Sequence, residues 1–448
     1  MNSLQAGFAR VIITPKPGIP LAGYYQTRIA DGTLDELEAN VLAVSAADRK
    51  ALLISVDHGG LFSPVQKLLR ARITEATGLS DEAIYLHSNH THTGPIINLD
   101  GTDAHIAEYL EELSEKLVQA SQAALADLRP ARMGWGVGQA PGISFVRRYR
   151  MKDGSVQTNP GIDNPEIDHP LGTVDERVNV LRFDREGADS IVLVNFGCHP
   201  DTIGGCKFSA DWPGFTRKRV EAALGNVRCL FMNGVQGDVN HVNPYPRGGQ
   251  GNGLTIDFDD VPRGYAHAAH MGNVVAGAVL QVYEKVQYTD VDSVRTLRST
   301  VCVPSNMPKP EDLPLARQID ALHQAGRDAE LPYKGMMLTT KVAEAVRMLR
   351  LEHGPAEFIM PVSVVAVGPV AFVGIPGEPF TGVGLALKQA PGWDMVLPTC
   401  ITNAKEGYFP MQDAYDEGGY EAASSTFAPG VAEILIEKSL NLLEQARA

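Results

Sequence analysis

Three of the chain's twelve histidines occur within six residues, in the segment Tyr85-Leu86-His87-Ser88-Asn89-His90-Thr91-His92-Thr93-Gly94-Pro95. An apolar run, Ala83 to Leu86, predicts a buried strand before them, and Gly94-Pro95 predicts a turn after them. Because side chains two apart in an extended chain point the same way, His90 and His92 are expected to face one side. Two imidazoles directed at one point favour a divalent metal ion, and a polar loop of hydrogen-bonded histidines is the alternative.

Polar residues also follow other apolar runs of the sequence. They are Asp57 and His58, His199, Asp238 and His241, and Glu378 within Gly374-Ile375-Pro376-Gly377-Glu378-Pro379. A sheet gathers the ends of its strands along one edge, and α/β proteins usually carry their chemistry there. A single histidine of this kind is commonly structural, but these coincidences together indicate one site that several strand ends share.

Strands and helices alternate along the sequence. Apolar, β-branched runs predict strands at Phe8–Thr14, Asn40–Ala46, Ala51–Val56, Val178–Phe183, Ser190–Gly197, Val227–Met232, Val294–Val303, Phe358–Val367 and Val370–Ile375. Periodicity and capping residues predict helices at Ser63–Thr77 (with Ser63 as its cap), Asp103–Asp127, Pro213–Leu224, Arg263–Lys285, Pro310–Ala325, Thr339–Glu352 and Pro429–Ala446. Residues 140–176 are rich in loops, which favours a substrate-site loop. Tight turns join several strand pairs, so the expected fold is α/β, with a mixed β-sheet core flanked by helices.

The bulk composition excludes several classes of protein. The 448 residues are 44% hydrophobic and 21% charged, which is ordinary for a globular enzyme. A formal charge of −14 disfavours nucleic acid and anionic membrane surfaces as partners and leaves a small-molecule substrate open. The five cysteines are scattered and odd in number, so neither a disulfide framework nor a thiolate zinc site is indicated. Neither a signal-like N-terminus nor an apolar run of about 18 residues occurs, so we expect no membrane span and a cytoplasmic location.

In their order and spacing, these motifs resemble the neutral/alkaline (non-lysosomal) ceramidases, a family of zinc-dependent amide hydrolases. The resemblance rests on Asn89 to Pro95, which matches the family's HTHSGP-type motif, on the strand that ends in His199, and on the Pro-Gly-Glu at Glu378. A late block from Thr402 to Tyr408, with Tyr420 twelve residues further on, matches the family's tyrosine region. The motifs span nearly the whole chain, which predicts a single ceramidase-like catalytic domain over residues 1–448.

The resemblance implies a role for each matching residue. It implies one Zn²⁺ per chain, held by His90, His199, Glu378 and Tyr408. His92 would act as general base and then as the acid for the leaving group. Arg147, or its neighbour Arg148, and Tyr420 would hydrogen-bond the negative charge that develops on the former carbonyl oxygen.

Several polar residues remain outside that set. Asp238 is expected either to support a metal-bound histidine or to help hold a second divalent cation. Trp212 and Tyr24 are expected to line the pocket. Asp57 and Asp211 have no assigned role in the expected zinc site.

Two departures from the family pattern concern the substrate. The chain is expected to lack the leader and the C-terminal β-sandwich domain of the secreted ceramidases. Ile96-Ile97-Asn98 also replaces the family's double glycine after the proline. The resemblance is therefore a better guide to the catalytic centre than to the substrate. The expected reaction is cleavage of a C–N amide bond in a small, water-soluble N-acyl compound.

Other functions stay open. The same zinc site would serve an ester, lactone or glycosidic substrate. A two-metal phosphoesterase would use Asp57, His58, Asp238 and His241 as additional ligands. A metal-dependent binding protein without catalysis is the third alternative, although it would have no need of a general base. The oligomeric state is not predicted.

Overall fold

The computed structural model describes residues 4–97, 103–246 and 264–447. The largest element of this part of the chain is a nine-stranded mixed sheet. In spatial order its strands are Val227–Asn233, Ser190–Phe196, Arg177–Arg185, Arg129–Gln139, Gln5–Ile12, Glu38–Ala46, Arg49–Val56 and Ile84–Ser88, and Gln287–Thr289 pairs with Arg129–Gln139. A second sheet contains, in order, Val294–Pro304, Glu357–Val367, Val370–Gly374 and Met395–Thr399.

Helices and short strands complete the described fold. The α-helices are α1 (Ser63–Thr77), α2 (Ala104–Ala126), α3 (Asp211–Leu224), α4 (Tyr265–Tyr283), α5 (Leu313–Gln324), α6 (Gly335–Glu352), α7 (Thr381–Leu387), α8 (Gln412–Glu417), α9 (Tyr420–Ser424) and α10 (Val431–Arg447). Single 3₁₀ turns lie at Asp81–Ala83 and Asp328–Glu330. The short strands are Pro20–Leu21 with Arg28–Ile29, Gly32–Thr33 with Lys207–Phe208, Phe145–Val146 with Val239–Asn240, Glu378–Pro379 with Tyr408–Phe409, and the group Val156–Thr158, Arg148–Met151 and Ile167–Pro170. None of the helices described is both long enough and apolar enough to cross a bilayer.

The two sheets pack face to face, because side chains alternate between the faces of each strand. Leu42 and Leu53 of the first sheet point into the layer between the sheets, where they share a core with Phe372 of the second. Their neighbours Val41 and Ile54 point the other way and share a core with α1 and α2. The opposite face of the second sheet packs against α7 and α10. The order of layers is helix, sheet, sheet, helix.

The mixed sheet flanked by helices is confirmed, and its elements are close to those predicted. Asp103 caps α2 by accepting a 2.9 Å hydrogen bond from the backbone N–H of His105. The predicted cap of α1 is wrong, because the helix begins at Ser63 and Phe62 occupies the cap position without a side-chain hydrogen bond. Helix α4 replaces the predicted Arg263–Lys285, whose first residue lies outside the described residues. The loop-rich residues 140–176 contain the three-stranded group.

The two edge strands of the large sheet, Ile84–Ser88 and Val227–Asn233, approach each other at their carboxyl ends. The backbone N–H of Asn233 donates to Nε2 of His87 over 2.9 Å. Each edge strand runs parallel to its inner neighbour. The second sheet joins them at the same place, because Thr402, just beyond its last strand, forms a bridge with His87. The segments that follow these strands therefore meet in one region.

A fully buried ion pair ties the histidine segment to α3. The guanidinium of Arg217 donates to both carboxylate oxygens of Asp57, over 2.9 and 2.5 Å. The amide of Asn89, which directly precedes His90, donates to the same carboxylate over 2.9 Å. Glu38 lies 3.2 Å from the guanidinium and adds a second carboxylate. Removal of the cation would leave a buried, uncompensated negative charge beside the histidines.

We expect Arg217→Met to lower the free energy of unfolding by about 3–5 kcal/mol, because breaking a buried pair strands its partner's charge. The matched control is Arg228→Met, which removes an exposed ion pair of 3.0 Å with Asp189. Such surface pairs contribute about 0–1 kcal/mol. Urea unfolding of the two variants measures the difference, and equal losses of stability in both would contradict the role given to the buried pair.

Candidate active site

The histidine segment is not extended, so the geometric reason given for the pairing of its histidines is wrong. His90 has a φ of +71°, in the left-handed region, which side chains other than glycine rarely adopt. Its backbone N–H donates to the carbonyl oxygen of His58 over 3.0 Å. The two imidazoles meet nevertheless, with Nε2 of His90 and Nε2 of His92 3.2 Å apart. A turn brings the two rings together, whereas the sequence predicted an extended segment with alternating side chains.

Two of the predicted ligands, His90 and His199, direct the same ring nitrogen at Glu378. Nδ1 of His90 lies 2.8 Å from the carbonyl oxygen of Gly59, and Nδ1 of His199 lies 2.9 Å from that of Gln236. A carbonyl accepts only, so each Nδ1 carries the proton and each Nε2 presents a lone pair. Both Nε2 atoms lie 3.2 Å from Oε2 of Glu378.

Three electron-rich atoms thus converge at one buried point. His199 Nε2 and Glu378 Oε2 are buried without a hydrogen bond, although they face each other. Lone pairs held in this way repel one another unless a cation lies between them. A backbone carbonyl that fixes the remote nitrogen of a histidine is the usual support of a metal ligand. The residues present therefore fit a divalent metal ion.

The electrostatics of this point favour a neutral histidine and an ionised carboxyl group. Burial, reinforced by the charge of Arg147, lowers the pKa of His199 to about 3. Burial alone would raise the pKa of Glu378, but the neighbouring His90 and His199 lower it well below its usual range. A neutral histidine and an ionised carboxyl group are the forms that bind a metal ion.

His92 belongs to the same buried group, and it also lines a cavity. The ring nitrogens of His90, His92 and His199 lie within 4.8 Å of one another, close enough to share an ion. Nδ1 of His92 lies 3.2 Å from a carboxylate oxygen of Asp201, which in turn accepts a hydrogen bond from the hydroxyl of Tyr24. Burial lowers the pKa of His92, and Asp201 opposes that shift. A Cβ atom on Gly23 would lie 2.5 Å from the ring of His92, so this position has room only for glycine.

Tyr408 lies beside the predicted ligands. Residues Glu378 and Tyr408 pair directly in a short parallel bridge, and the rings of Tyr408 and His199 stack with centroids 6.3 Å apart. Burial, and then the charge of Glu378, raise the pKa of Tyr408 well above its usual range. A tyrosine that binds a metal ion as a phenolate would need a lowered pKa. The raised pKa of Tyr408 therefore runs against that form of the predicted ligand. The positive charge of Arg147, which lies over the ring at 5.3 Å, opposes the shift.

Arg147 and Tyr420 also reach the cavity, but Arg147 is held by other groups. Its guanidinium donates to the carbonyl oxygen of Gly237 over 2.6 Å and pairs with Glu421 over 2.7 Å. The ring of Tyr420 lies 5.6 Å from that of Tyr408. The neighbouring Arg148 instead pairs with Glu417 over 3.0 Å, and it does not line this cavity. Of the two adjacent arginines, Arg147 is therefore the one at the site.

Both carboxylates of the two-metal alternative, Asp57 and Asp238, are engaged elsewhere. Both oxygens of Asp57 accept from Arg217. Asp238 accepts from the backbone N–H and the hydroxyl of Thr381, over 2.7 and 2.8 Å, and so fixes the start of α7 instead of a histidine ring. The ring of His241 packs beside that of His267, with centroids 5.9 Å apart. Within residues 4–97, 103–246 and 264–447, the group that could share an ion is the three histidines already described.

Trp212 lies elsewhere than predicted, and Asp211, which had no assigned role, gains one. Trp212 is fully buried in the core behind the site, and its indole N–H donates to the carbonyl oxygen of His199 over 3.3 Å. It therefore positions a histidine and does not line the pocket. Asp211 accepts from the backbone N–H groups of Thr202 and Ile203, each over 2.9 Å, and holds the loop after His199.

Two chambers lie next to the buried group. The inner cavity has a volume of about 380 Å³ and is lined by, among others, Tyr24, His92, Arg147, Asp201, Tyr408, Tyr420, His323, Asp328, Leu338 and Val342. The outer depression, about 1060 Å³, shares Asn159, Met336 and Tyr420 with it. Helix α6 lines both chambers, and α5 contributes His323 to the inner cavity. Tyr24 therefore lines the pocket as predicted.

Sequence reasoning missed three contributors to the site. The only signal for Asp201 in the sequence was its position two residues after His199, because its contact with His92 depends on the fold. Glu421, which neutralises Arg147, directly follows Tyr420 in sequence, and that adjacency was the available signal. Tyr25, which hydrogen-bonds Tyr420, carries no signal of its own in the sequence.

An α/β fold with a buried histidine–carboxylate group beside a cavity fits a metal-dependent hydrolase. No protein-family model matches the chain. The chain is 22% identical to the neutral ceramidase of Mycobacterium tuberculosis over 463 aligned positions, which cover 89% of this chain and 69% of that protein. Its fold is similar to the crystal structure of neutral ceramidase from Pseudomonas aeruginosa, with a TM-score of 0.72 at 16% identity, covering 99% of this chain and 75% of that one.

A structure of a ceramidase complexed with C2 gives a TM-score of 0.70 at 16% identity, with 99% of this chain and 76% of that one covered. The chain is thus neutral-ceramidase-like in sequence and in fold. The resemblance predicted from its motifs is confirmed.

His58, which the two-metal alternative would use as a ligand, gives a pH-dependent prediction. Burial, and then the charge of Lys405, lower the pKa of His58 to about 3. The unfolded chain takes up a proton near pH 6.5, so folding stability falls as pH drops from there towards 3. We expect His58→Asn to remove about 1.4 kcal/mol per pH unit of this acid sensitivity. Urea unfolding at pH 7, 6 and 5 in the presence of a chelator measures the slope, and an unchanged slope would contradict the burial of a neutral His58.

Proposed function

We propose that the chain is a zinc-dependent hydrolase that cleaves the C–N amide bond of a small N-acyl compound. The observation that carries the proposal is the convergence of two imidazole lone pairs and one carboxylate oxygen at a buried point beside a cavity. The likeness to neutral ceramidases supports amide cleavage, because a ceramidase is named for the hydrolysis of the amide bond in ceramide. The inner cavity of about 380 Å³, at the lower end of the range for ligand pockets, supports a compact substrate.

The metal ligands in this proposal are His90, His199, Glu378 and Tyr408. When bound there, Zn²⁺ supplies a Lewis acid that polarises a carbonyl oxygen and lowers the pKa of a water molecule towards about 7. Nitrogen and oxygen ligands without thiolates suit this ion. The choice of His92 as base, and not as a further ligand, follows from its position. Nδ1 of His92 faces the carboxylate of Asp201, whereas Nδ1 of His90 and of His199 each face a backbone carbonyl.

His92 acts as general base and then as general acid. Nδ1 of His92 lies 3.2 Å from a carboxylate oxygen of Asp201, which favours the proton on Nδ1 and leaves Nε2 as the basic nitrogen that takes a proton from the attacking water. The oxygen of that water forms a bond to the carbonyl carbon. The C–N bond then breaks, and the same proton passes from Nε2 of His92 to the leaving nitrogen. Asp201, held by Tyr24, fixes the ring in the tautomer that this transfer requires.

Tyr420 donates a hydrogen bond to the carbonyl oxygen as negative charge develops on it. Burial, and then the neighbouring Tyr408, raise the pKa of Tyr420 well above its usual range, so its hydroxyl keeps its proton. Arg147 binds Glu421 and the carbonyl oxygen of Gly237. It therefore contributes its charge and holds Tyr408 in place, and Tyr420 is the better candidate for direct contact with the oxygen.

We expect His90→Ala and His199→Ala to lose both zinc and activity, whereas His92→Ala should retain one zinc per chain and lose turnover by about 10²–10⁴-fold. Elemental analysis of the dialysed proteins, combined with hydrolysis of an N-acyl amide, separates the two outcomes. Chelation of the wild type should abolish hydrolysis, and added zinc should restore it.

Asp201→Asn is the matched control for the metal measurement, because it disturbs His92 without touching a proposed ligand. It should keep its zinc. A His92→Ala protein without metal would show that the three-histidine group binds the ion and that the role of base lies elsewhere.

Tyr420→Phe should lower kcat for amide hydrolysis by about 10²–10³-fold with little change in KM, because the lost hydrogen bond forms fully only in the transition state. Tyr149→Phe is the control, since this buried tyrosine lies in the three-stranded group and lines neither chamber. Steady-state kinetics of both variants test the assignment. A loss confined to KM would mean that Tyr420 binds substrate without stabilising the transition state.

A further inference from the structure

Residues 209–211, which lead into the start of α3, bind the backbone on both sides of the proposed base. The carbonyl oxygen of Ser209 accepts from the hydroxyl groups of Thr91 and Thr93, over 2.7 and 3.1 Å. The backbone N–H of Ser209 donates to the carbonyl oxygen of Thr93 over 3.4 Å. These two threonines directly flank His92, and all of these residues are buried. We call residues 209–211 the clamp.

The clamp also binds the loop that carries Asp201. One carboxylate oxygen of Asp211 accepts from the backbone N–H groups of Thr202 and Ile203, each over 2.9 Å. These are the two residues directly after Asp201, whose carboxylate lies 3.2 Å from Nδ1 of His92. One short segment therefore holds the neighbours of both partners in this contact.

The clamp is itself fixed by contacts outside the two chambers. Asp35 accepts from the hydroxyl group of Ser209 over 2.5 Å and from the backbone N–H of Ala210 over 2.9 Å. The same hydroxyl oxygen accepts from the backbone N–H of Asp211 over 3.0 Å. The second carboxylate oxygen of Asp211 accepts from the backbone N–H of Trp212 over 2.6 Å. None of these residues lines the inner cavity or the outer depression.

Two features of Asp211 are unfavourable for stability. Its φ is +53°, in the left-handed region, and its carboxyl group is fully buried. Residues in such conformations persist where the surrounding structure determines them, and they are concentrated at functional sites. Here the conformation directs a carboxylate at the backbone of the loop that carries Asp201.

The contact between His92 and Asp201 depends on where that loop lies. The backbone N–H of His92 donates to the carbonyl oxygen of Pro200 over 3.0 Å, so the loop also touches the base directly. The side chain of Asp201 is 17% exposed, whereas Thr202 and Ile203 are fully buried. The anchored residues are thus those that follow Asp201, and their position determines where its carboxylate reaches.

On the basis of the hydrolase function proposed above, we propose that Ser209 and Asp211 are positioning residues of the reaction. They keep Nδ1 of His92 and the carboxylate of Asp201 within hydrogen-bond reach, and they act only through the segments that carry these two residues. A misplacement of about 1 Å at a reacting group can lower a rate by about 10²-fold, so loss of the clamp should slow the proton transfer.

The first test compares variants in the hydrolysis of octanoyl-p-nitroanilide, an N-acyl amide that releases a coloured amine. In Asp211→Asn an amide N–H replaces one acceptor oxygen, and we expect kcat to fall by about 10²-fold with little change in KM and one zinc per chain retained. Ser209→Ala should lower kcat by about tenfold. The control Asp127→Asn alters a carboxylate that accepts from the backbone N–H of Phe8 over 3.0 Å and lines neither chamber, so kcat should stay as in wild type.

A double-mutant cycle separates positioning from general support of the fold. If Asp211 acts through the contact of His92 with Asp201, the combined variant Asp201→Asn/Asp211→Asn should be as slow as the slower single variant and no slower. Losses that multiply in the combined variant would overturn the proposal.

If wild type does not hydrolyse the anilide or other N-acyl amides, the hydrolase proposal fails first, and crystal structures test the clamp without turnover. Wild type and Asp127→Asn should keep the contact between His92 and Asp201, and Asp211→Asn and Ser209→Ala should lose it. A contact that survives in both clamp variants refutes the positioning role. Should Asp211→Asn fail to fold, Ser209→Ala decides alone, and an unchanged contact in that variant refutes the proposal.

Discussion

Three lone pairs turned toward one buried point form the constraint on which the rest of the site depends. Nε2 of His90, Nε2 of His199 and Oε2 of Glu378 have no proton to share, because backbone carbonyls fix the protons of both rings on Nδ1. A buried carboxylate facing two acceptors is unfavourable unless a cation compensates it. The arrangement can persist in a folded chain only if other interactions hold these side chains in place. Backbone carbonyls and the side chain of Asn233 supply such interactions.

The clearest of these interactions is the side chain of Asn233. Its amide donates to the carbonyl oxygens of Asn89 and Cys198, over 3.1 and 3.2 Å. These residues directly precede His90 and His199, so one side chain fixes both histidine segments. Asn233 is the last residue of an edge strand, and its own position is set by the sheet. The meeting of strand ends within the large sheet therefore determines a distance between two rings that no local sequence preference could fix.

The sequence was sufficient for most of the elements, because these depend on local patterns, and the resemblance pointed to residues that the fold brings together. Alternation of apolar residues predicts strands, and the polar residue after each strand predicts a position at the sheet edge. The left-handed turn at His90 was not predictable, since it depends on hydrogen bonds to His58 and Gly59 from a neighbouring strand end. The ion pair of Asp57 with Arg217 joins residues 160 positions apart, and only the folded sheet brings them together.

The substrate is less constrained by this fold than the chemistry is, for a structural reason. The helix pair α5–α6 forms its own small core from Ala316, Ile319, Leu331, Val342 and Ala345, separate from the cores of the sheets. This small core does not share residues with the cores that support the proposed metal ligands. One fold can serve different substrates, because function depends on the side chains at the site. Likeness in fold to a ceramidase is for that reason better evidence on the arrangement of the site than on the identity of the substrate.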